Sequence, residues 1–205
     1  MDDALARLLK LPAQTLLIGS VVVVSLVAWI IKPVQRALIL NPYRVRYRGE
    51  VYRLLTAGWV HADVSHLVLN MIMLFYFTEQ TIRLLGATRF LVLYISAVVV
   101  AFIPTTLRYA RDPRYNSLGA SGAVAAVMIA AILLHPKLKL TLFFLPTPIP
   151  GAAFAVGYVV YSLWHSLTAG DGINHDAHFS GAMYGALLTY VFEPARVERA
   201  IHTLW

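Results

Sequence analysis

Cysteine is absent from the 205 residues, which excludes a disulfide framework, a thiol nucleophile and a thiolate metal site. Charge is scarce as well: 13% of residues are charged against 59% apolar, where a soluble domain carries roughly a quarter charged residues. The chain therefore reads as a membrane protein. Its formal net charge is +7, but the basic residues sit in connecting segments and not along one helix face among aromatics. That placement argues against a nucleic-acid partner and for anionic lipid headgroups.

Several catalytic signatures are also missing. No H-E-x-x-H occurs and no carboxylate lies beside a histidine within an apolar run, so no metal and no cofactor is expected. Asp63, Asp112, Asp171 and Asp176 fall in loops or at the ends of runs, which disfavours a pair of intramembrane aspartates. Ser121 is not in a G-x-S-x-G elbow, because position 123 is Ala and no strand precedes it; an α/β hydrolase is excluded. No internal duplication of the kind that builds transporters from two halves is visible.

What the chain does have is long apolar runs. Six windows approach the roughly 17–25 residues a membrane helix needs: about 13–31, 66–82, 90–107, 119–135, 151–168 and 177–192. They predict an all-α membrane protein, a six-helix bundle forming one domain over residues 1–205. The first run follows a mixed-charge head and precedes no A-x-A pattern, so it reads as a retained span. Between the first two runs, Lys32 to Ser65 mixes aromatics, arginines and leucines too closely for a span. It is expected partly in the interface, with Tyr43, Tyr47, Tyr52 and Trp59 at headgroup depth. The stretch "KLTLFFLPTPIPG" is expected to turn at the membrane surface, stopped by Pro146, Pro148 and Pro150. "TAGDGINHDA", residues 168–177, reads equally as a mobile lid or a flexible connector. Lys and Arg divide nearly evenly between the two sides, so charge does not orient the chain.

Polar groups inside a membrane are costly and usually serve a cavity. His66 and Asn70 open the second run, Ser121 the fourth and His178 the sixth. Even-numbered spans run in one direction, so all four residues belong at similar depth in one leaflet. His66 and Asn70 lie four apart, stacked on one helix face, and both can donate hydrogen bonds. The small residues Gly119 and Gly122 in the fourth run and Gly181 and Gly185 in the sixth favour close helix packing. If those faces meet, Ser121 lies beside His178, a nucleophile with its base. His135, His165 and His175 are assigned no chemical role.

At these residues the chain resembles the rhomboid intramembrane serine proteases. The matching stretches are "YRLLTAGWVHADVSHLVLN", with Arg53, His61, His66 and Asn70; "GASG", with Gly119, Ser121 and Gly122; and "AHFSGAMYG", with His178, Gly181 and Gly185. The resemblance implies a serine endopeptidase that cleaves transmembrane segments with a dyad, Ser121 as nucleophile and His178 as general base, leaving Asp176 without a catalytic part. It implies an oxyanion site made by the Ser121 backbone N–H with His66 and Asn70, and substrate helices admitted sideways between spans two and five. The expected partners are the bilayer and transmembrane proteins, and the expected location a prokaryotic plasma membrane. The alternative is a catalytically inactive rhomboid-like protein that binds transmembrane clients. Two positions depart from the family pattern: Ala125 stands where an aromatic often supports the imidazole, and Ile82 where a glutamate is frequent, with Glu79 one turn earlier.

Overall fold

A computed structural model describes residues 13–141, 147–168 and 170–204, with side chains to 202. The charged head before Ala13 and most of the "TLFFLP" stretch lie outside the described residues. Helices occupy all six apolar windows: α1 Ala13–Ile30, α5 Val64–Leu85, α6 Ala87–Arg108, α7 Ser121–Leu134, α8 Gly151–Thr168 and α9 His175–Phe192. Three short helices, α2 Lys32–Leu38, α3 Pro42–Arg48 and α4 Arg53–Thr56, fill the long first connection, and α10 Pro194–Leu204 closes the chain. Lys139–Leu140 (β1) pairs antiparallel with Ile149–Pro150 (β2), so the proline-rich stretch does turn back on itself.

Local chemistry sets these boundaries. The Asp63 carboxylate accepts the His66 N–H at 2.8 Å, capping α5, and the Ser65 hydroxyl at 2.6 Å. Those bonds, the Ser65 one foremost, hold the Asp63 carboxyl below its usual range. Gly86, at φ +80°, separates α5 from α6 in a conformation that favours glycine. Asn174 caps α9 by accepting from the Ala177 N–H at 3.0 Å.

The expectation of six spans is met only in part. Among the described residues, α1 and α6 alone are long and apolar enough to cross a bilayer by themselves; a third candidate arises if α4 with the turn after it and α5, bent by 94°, count as one broken span. The physical reason lies in the site. The first two turns of α5 carry His66 and Asn70, and the first turn of α9 carries His175, Asp176 and His178, which lower their hydropathy. With only 14 residues, α7 extends about 21 Å at 1.5 Å per residue, short of the ~30 Å hydrocarbon core. Twelve of those residues are buried, because α5, α6, α8, α9 and α10 all pack around it. A helix wrapped by protein need not match the lipid thickness.

The amphipathic connection is a scaffold as well as a surface. Tyr47 and Tyr52 are exposed, whereas Trp59 turns inward, edge-on to the buried Tyr94 at 6.1 Å. Arg53 is 1% exposed, where an unpaired charge would be very costly. It donates to Glu50 at 2.5 Å and to the carbonyls of Arg36 and Ile39 at 2.9 and 2.7 Å. One cation thereby joins α2 and α4.

Candidate active site

The segment before α7 is pinned residue by residue, and this fixes where Ser121 begins its helix. Leu40 and Ser117 exchange backbone bonds of 2.9 and 3.0 Å, and the Gly119 N–H donates to the Ala57 carbonyl at 2.9 Å. The Asn41 amide donates to the carbonyls of Pro113 and Tyr115 and to Asn116, each at 3.1 Å. Next, the Ala120 N–H donates to His61 Nε2 at 3.3 Å. The Ser25 hydroxyl donates to the Trp59 carbonyl at 2.9 Å and lies 3.0 Å from His61 Nδ1. These bonds require the imidazole proton to sit on Nδ1. His61 thus works as a fully buried strut from α1 to the residue before Ser121.

The sequence pattern predicts a helix-packing role for Gly119, and the structure gives it another place. It lies outside α7 at φ +114°, and a Cβ there would come within 2.7 Å of the His66 ring. It therefore makes room for that imidazole in the approach to the helix. The other three glycines lie where α7 meets α9 and α6. A Cβ on Gly181 would strike the Gly122 backbone, one on Gly185 would lie 2.5 Å from Ala126 backbone atoms, and one on Gly122 would lie 2.9 Å from the Ala177 carbonyl.

That close approach carries His178 to Ser121: Nε2 and Oγ are 2.8 Å apart. Both residues are half-buried, and both line a cavity of about 950 Å³ together with His66 and Asn70. The Asn70 amide donates one hydrogen to the His66 carbonyl at 2.9 Å, which leaves its second N–H available. Ser121 starts α7, where the first N–H groups of a helix lack intrahelical acceptors and the dipole is positive. Asp176 turns elsewhere, bonding Arg108 at 3.0 Å and the Ser166 hydroxyl at 2.6 Å.

Two participants were not legible in the sequence. Tyr158 of α8 lies face to face with the His178 ring, centroids 6.3 Å apart and planes tilted by 29°, so the imidazole is backed from a neighbouring helix while position 125 holds a small alanine. Asn174, besides capping α9, accepts from Thr105 at 2.8 Å and donates to the Ser117 hydroxyl at 2.9 Å. It thereby ties α6, the approach to Ser121 and the approach to His178 at one point. The histidines set aside on sequence grounds also have places. His165 and His175 stand together near the cavity with ring centroids 4.9 Å apart, and His135 caps the end of α7, donating its N–H to Ala131 and Ile132.

Comparison with known proteins bears on the whole arrangement. Residues 48–195 match the Rhomboid domain family model, a stretch containing Ser121, His178, His66 and Asn70. The chain is 30% identical over 154 residues to RHOMBOID-like protein 12, mitochondrial, of Arabidopsis thaliana, covering 68% of this chain and 46% of that protein. It is 32% identical over 135 residues to Presenilin-associated rhomboid-like protein A, mitochondrial, of Danio rerio, covering 63% and 34%. To the Homo sapiens Presenilin-associated rhomboid-like protein, mitochondrial, it is 30% identical over 138 residues, covering 64% and 35%. The chain spans less than half the length of these relatives. With the family model matching most of the sequence, this is a membrane protein that belongs to the rhomboid family.

Proposed function

We propose that the protein is a serine endopeptidase that cleaves transmembrane segments of other membrane proteins through a Ser121–His178 dyad, and that all six apolar helices span or enter the bilayer. The observation that carries this reading is the 2.8 Å approach of Nε2 to Oγ inside a cavity open enough for a peptide. In the reaction, His178 Nε2 takes the Ser121 proton as Oγ attacks the scissile carbonyl carbon. The imidazolium then gives that proton to the leaving amine, and a water repeats the sequence on the acyl-enzyme ester. Oxyanion charge falls to the N–H of Ser121, the second Asn70 N–H and the His66 ring. Substrate enters between α5 and α8, which flank the cavity with Leu69 and Met73 on one side and Tyr158 on the other.

The test is labelling of the detergent-purified protein with a fluorophosphonate: modification at Ser121 supports the hydrolase, and no modification favours the client-binding alternative. Two further residues give graded results. Asn70→Ala is expected to lower kcat on the order of a hundredfold with KM little changed, since it removes a donor that matters most in the transition state; a loss confined to KM would contradict the oxyanion role. Tyr158→Ala is expected to lower kcat about tenfold, a fraction of the roughly 10²–10⁴-fold that a positioned base contributes, and Tyr158→Phe to restore it. A Phe variant as impaired as Ala would mean that the hydroxyl, and not the ring face against His178, does the positioning.

We infer residence in a prokaryotic plasma membrane, whereas the relatives named above are mitochondrial. Fractionation of the source cells decides between them.

A further inference from the structure

Beside the dyad, three side chains converge from α8, the loop after it and α9. One donor atom each of His165, Asp171 and His175 lies within 4.8 Å of the other two. His175 is 3% exposed, with Nε2 3.1 Å from an Asp171 carboxylate oxygen. Its Nδ1 and that of His165 are both buried without a hydrogen-bond partner among the described residues. An orphaned buried polar atom costs about 1–3 kcal/mol and is rare in folded proteins; two in one cluster, beside a carboxylate, call for an explanation. The Tyr161 ring, with centroids 4.2 Å from His165 and 5.7 Å from His175, holds both imidazoles in place.

We propose that His165, Asp171 and His175 bind one divalent transition-metal ion of the zinc class and that this ion latches the loop over the cavity. Two imidazole nitrogens and one carboxylate oxygen are a borderline donor set suited to zinc, whereas magnesium and calcium favour all-oxygen sites. Tetrahedral ligation at about 2.1 Å sets donors roughly 3.4 Å apart, a spacing reached here by side-chain rotation, most readily of the exposed Asp171. A water completes the fourth position. The ligands come from the last turn of α8, the loop after it and the first turn of α9, so the ion clips those helices together and restrains residues 170–174, which line the cavity with Ser121 and His178. The ring of His175 is 5.7 Å from that of His178, close enough for the latch to bear on access to the dyad. Metal binding stands independently of the protease reading; only the effect on turnover rests on it.

Calorimetric titration of chelator-stripped, purified protein with zinc chloride tests the site. One ion per chain is expected, with affinity falling at least tenfold in His165→Ala and in Asp171→Asn, kept in His178→Ala, and no uptake of magnesium. Absence of zinc uptake, undiminished affinity in His165→Ala, or loss of binding in His178→Ala would each overturn the site. Melting temperatures of the metal-free variants confirm that they fold. Amide exchange over residues 170–174 should slow with zinc in the wild type and not in His165→Ala; exchange unaffected by bound zinc would overturn the latch. Zinc should slow fluorophosphonate labelling of Ser121 severalfold in the wild type alone. If Ser121 labels under no condition while zinc still binds, the protease reading fails and the metal site stands.

Discussion

Replacing Ser121 with alanine will reduce cleavage of a model transmembrane substrate by on the order of a thousandfold or more, with helical content unchanged. The magnitude follows from the role: without Oγ no acyl-enzyme can form, and loss of a triad serine in soluble proteases costs at least that much. Structural damage is expected to be small, because Ser121 is half-buried at the first position of α7 and its hydroxyl is bonded to His178. His178→Ala should cost a similar factor, since the hydroxyl is a weak nucleophile without a base. Groups that act as one unit are strongly non-additive. The double variant should therefore be no worse than either single one, as read by initial rates on the same substrate; losses that multiplied would show that the two residues act independently.

The second large effect concerns a single methyl group. In Gly181→Ala the new Cβ meets the Gly122 backbone, where no side-chain rotation can relieve it, so α7 and α9 must separate. Overpacking commonly costs about 1–3 kcal/mol, and a backbone clash lies at or above the top of that range. A fall of roughly 5–10 °C in melting temperature is expected for a chain of this size. Activity should fall further than stability alone accounts for, because the same displacement opens the distance between Oγ and Nε2. Gly185→Val, against Ala126 one turn deeper, should behave alike. Gly19 and Gly157, whose added Cβ atoms would meet nothing within 4 Å, supply controls: alanine at either should leave melting and labelling unchanged. Full activity and an unshifted melting curve in Gly181→Ala would mean that the two helices are not in contact there.

The same packing explains what the position of Ser121 costs. A serine at the start of a fully wrapped helix needs that helix to begin at one residue and no other. The bonds from Ala57 to Gly119 and from His61 to Ala120 impose that beginning. The amphipathic connection between α1 and α5 therefore serves the site from a distance, although none of its short helices supplies a reacting atom.

How much of this was written in the chain itself depends on the range of the physics involved. Apolar runs and their breaks are local, so the six windows and the loops between them follow from residue order, since each helix is selected by its own hydropathy and caps. The meeting of His66, Asn70, Ser121 and His178 at one cavity follows too, because helices in alternating apolar windows are expected to run in the same direction. The spacing of Gly181 and Gly185 even announces a close contact. What residue order leaves open is every choice made by a neighbour. Which face Tyr158 turns toward His178, why Gly119 yields to an imidazole and not to a helix, and how His165 and Asp171 reach His175 all depend on packing between segments far apart in the chain. Even the short length of α7 is settled this way: exposure to lipid would demand a longer helix, and only the helices packed around it remove that demand.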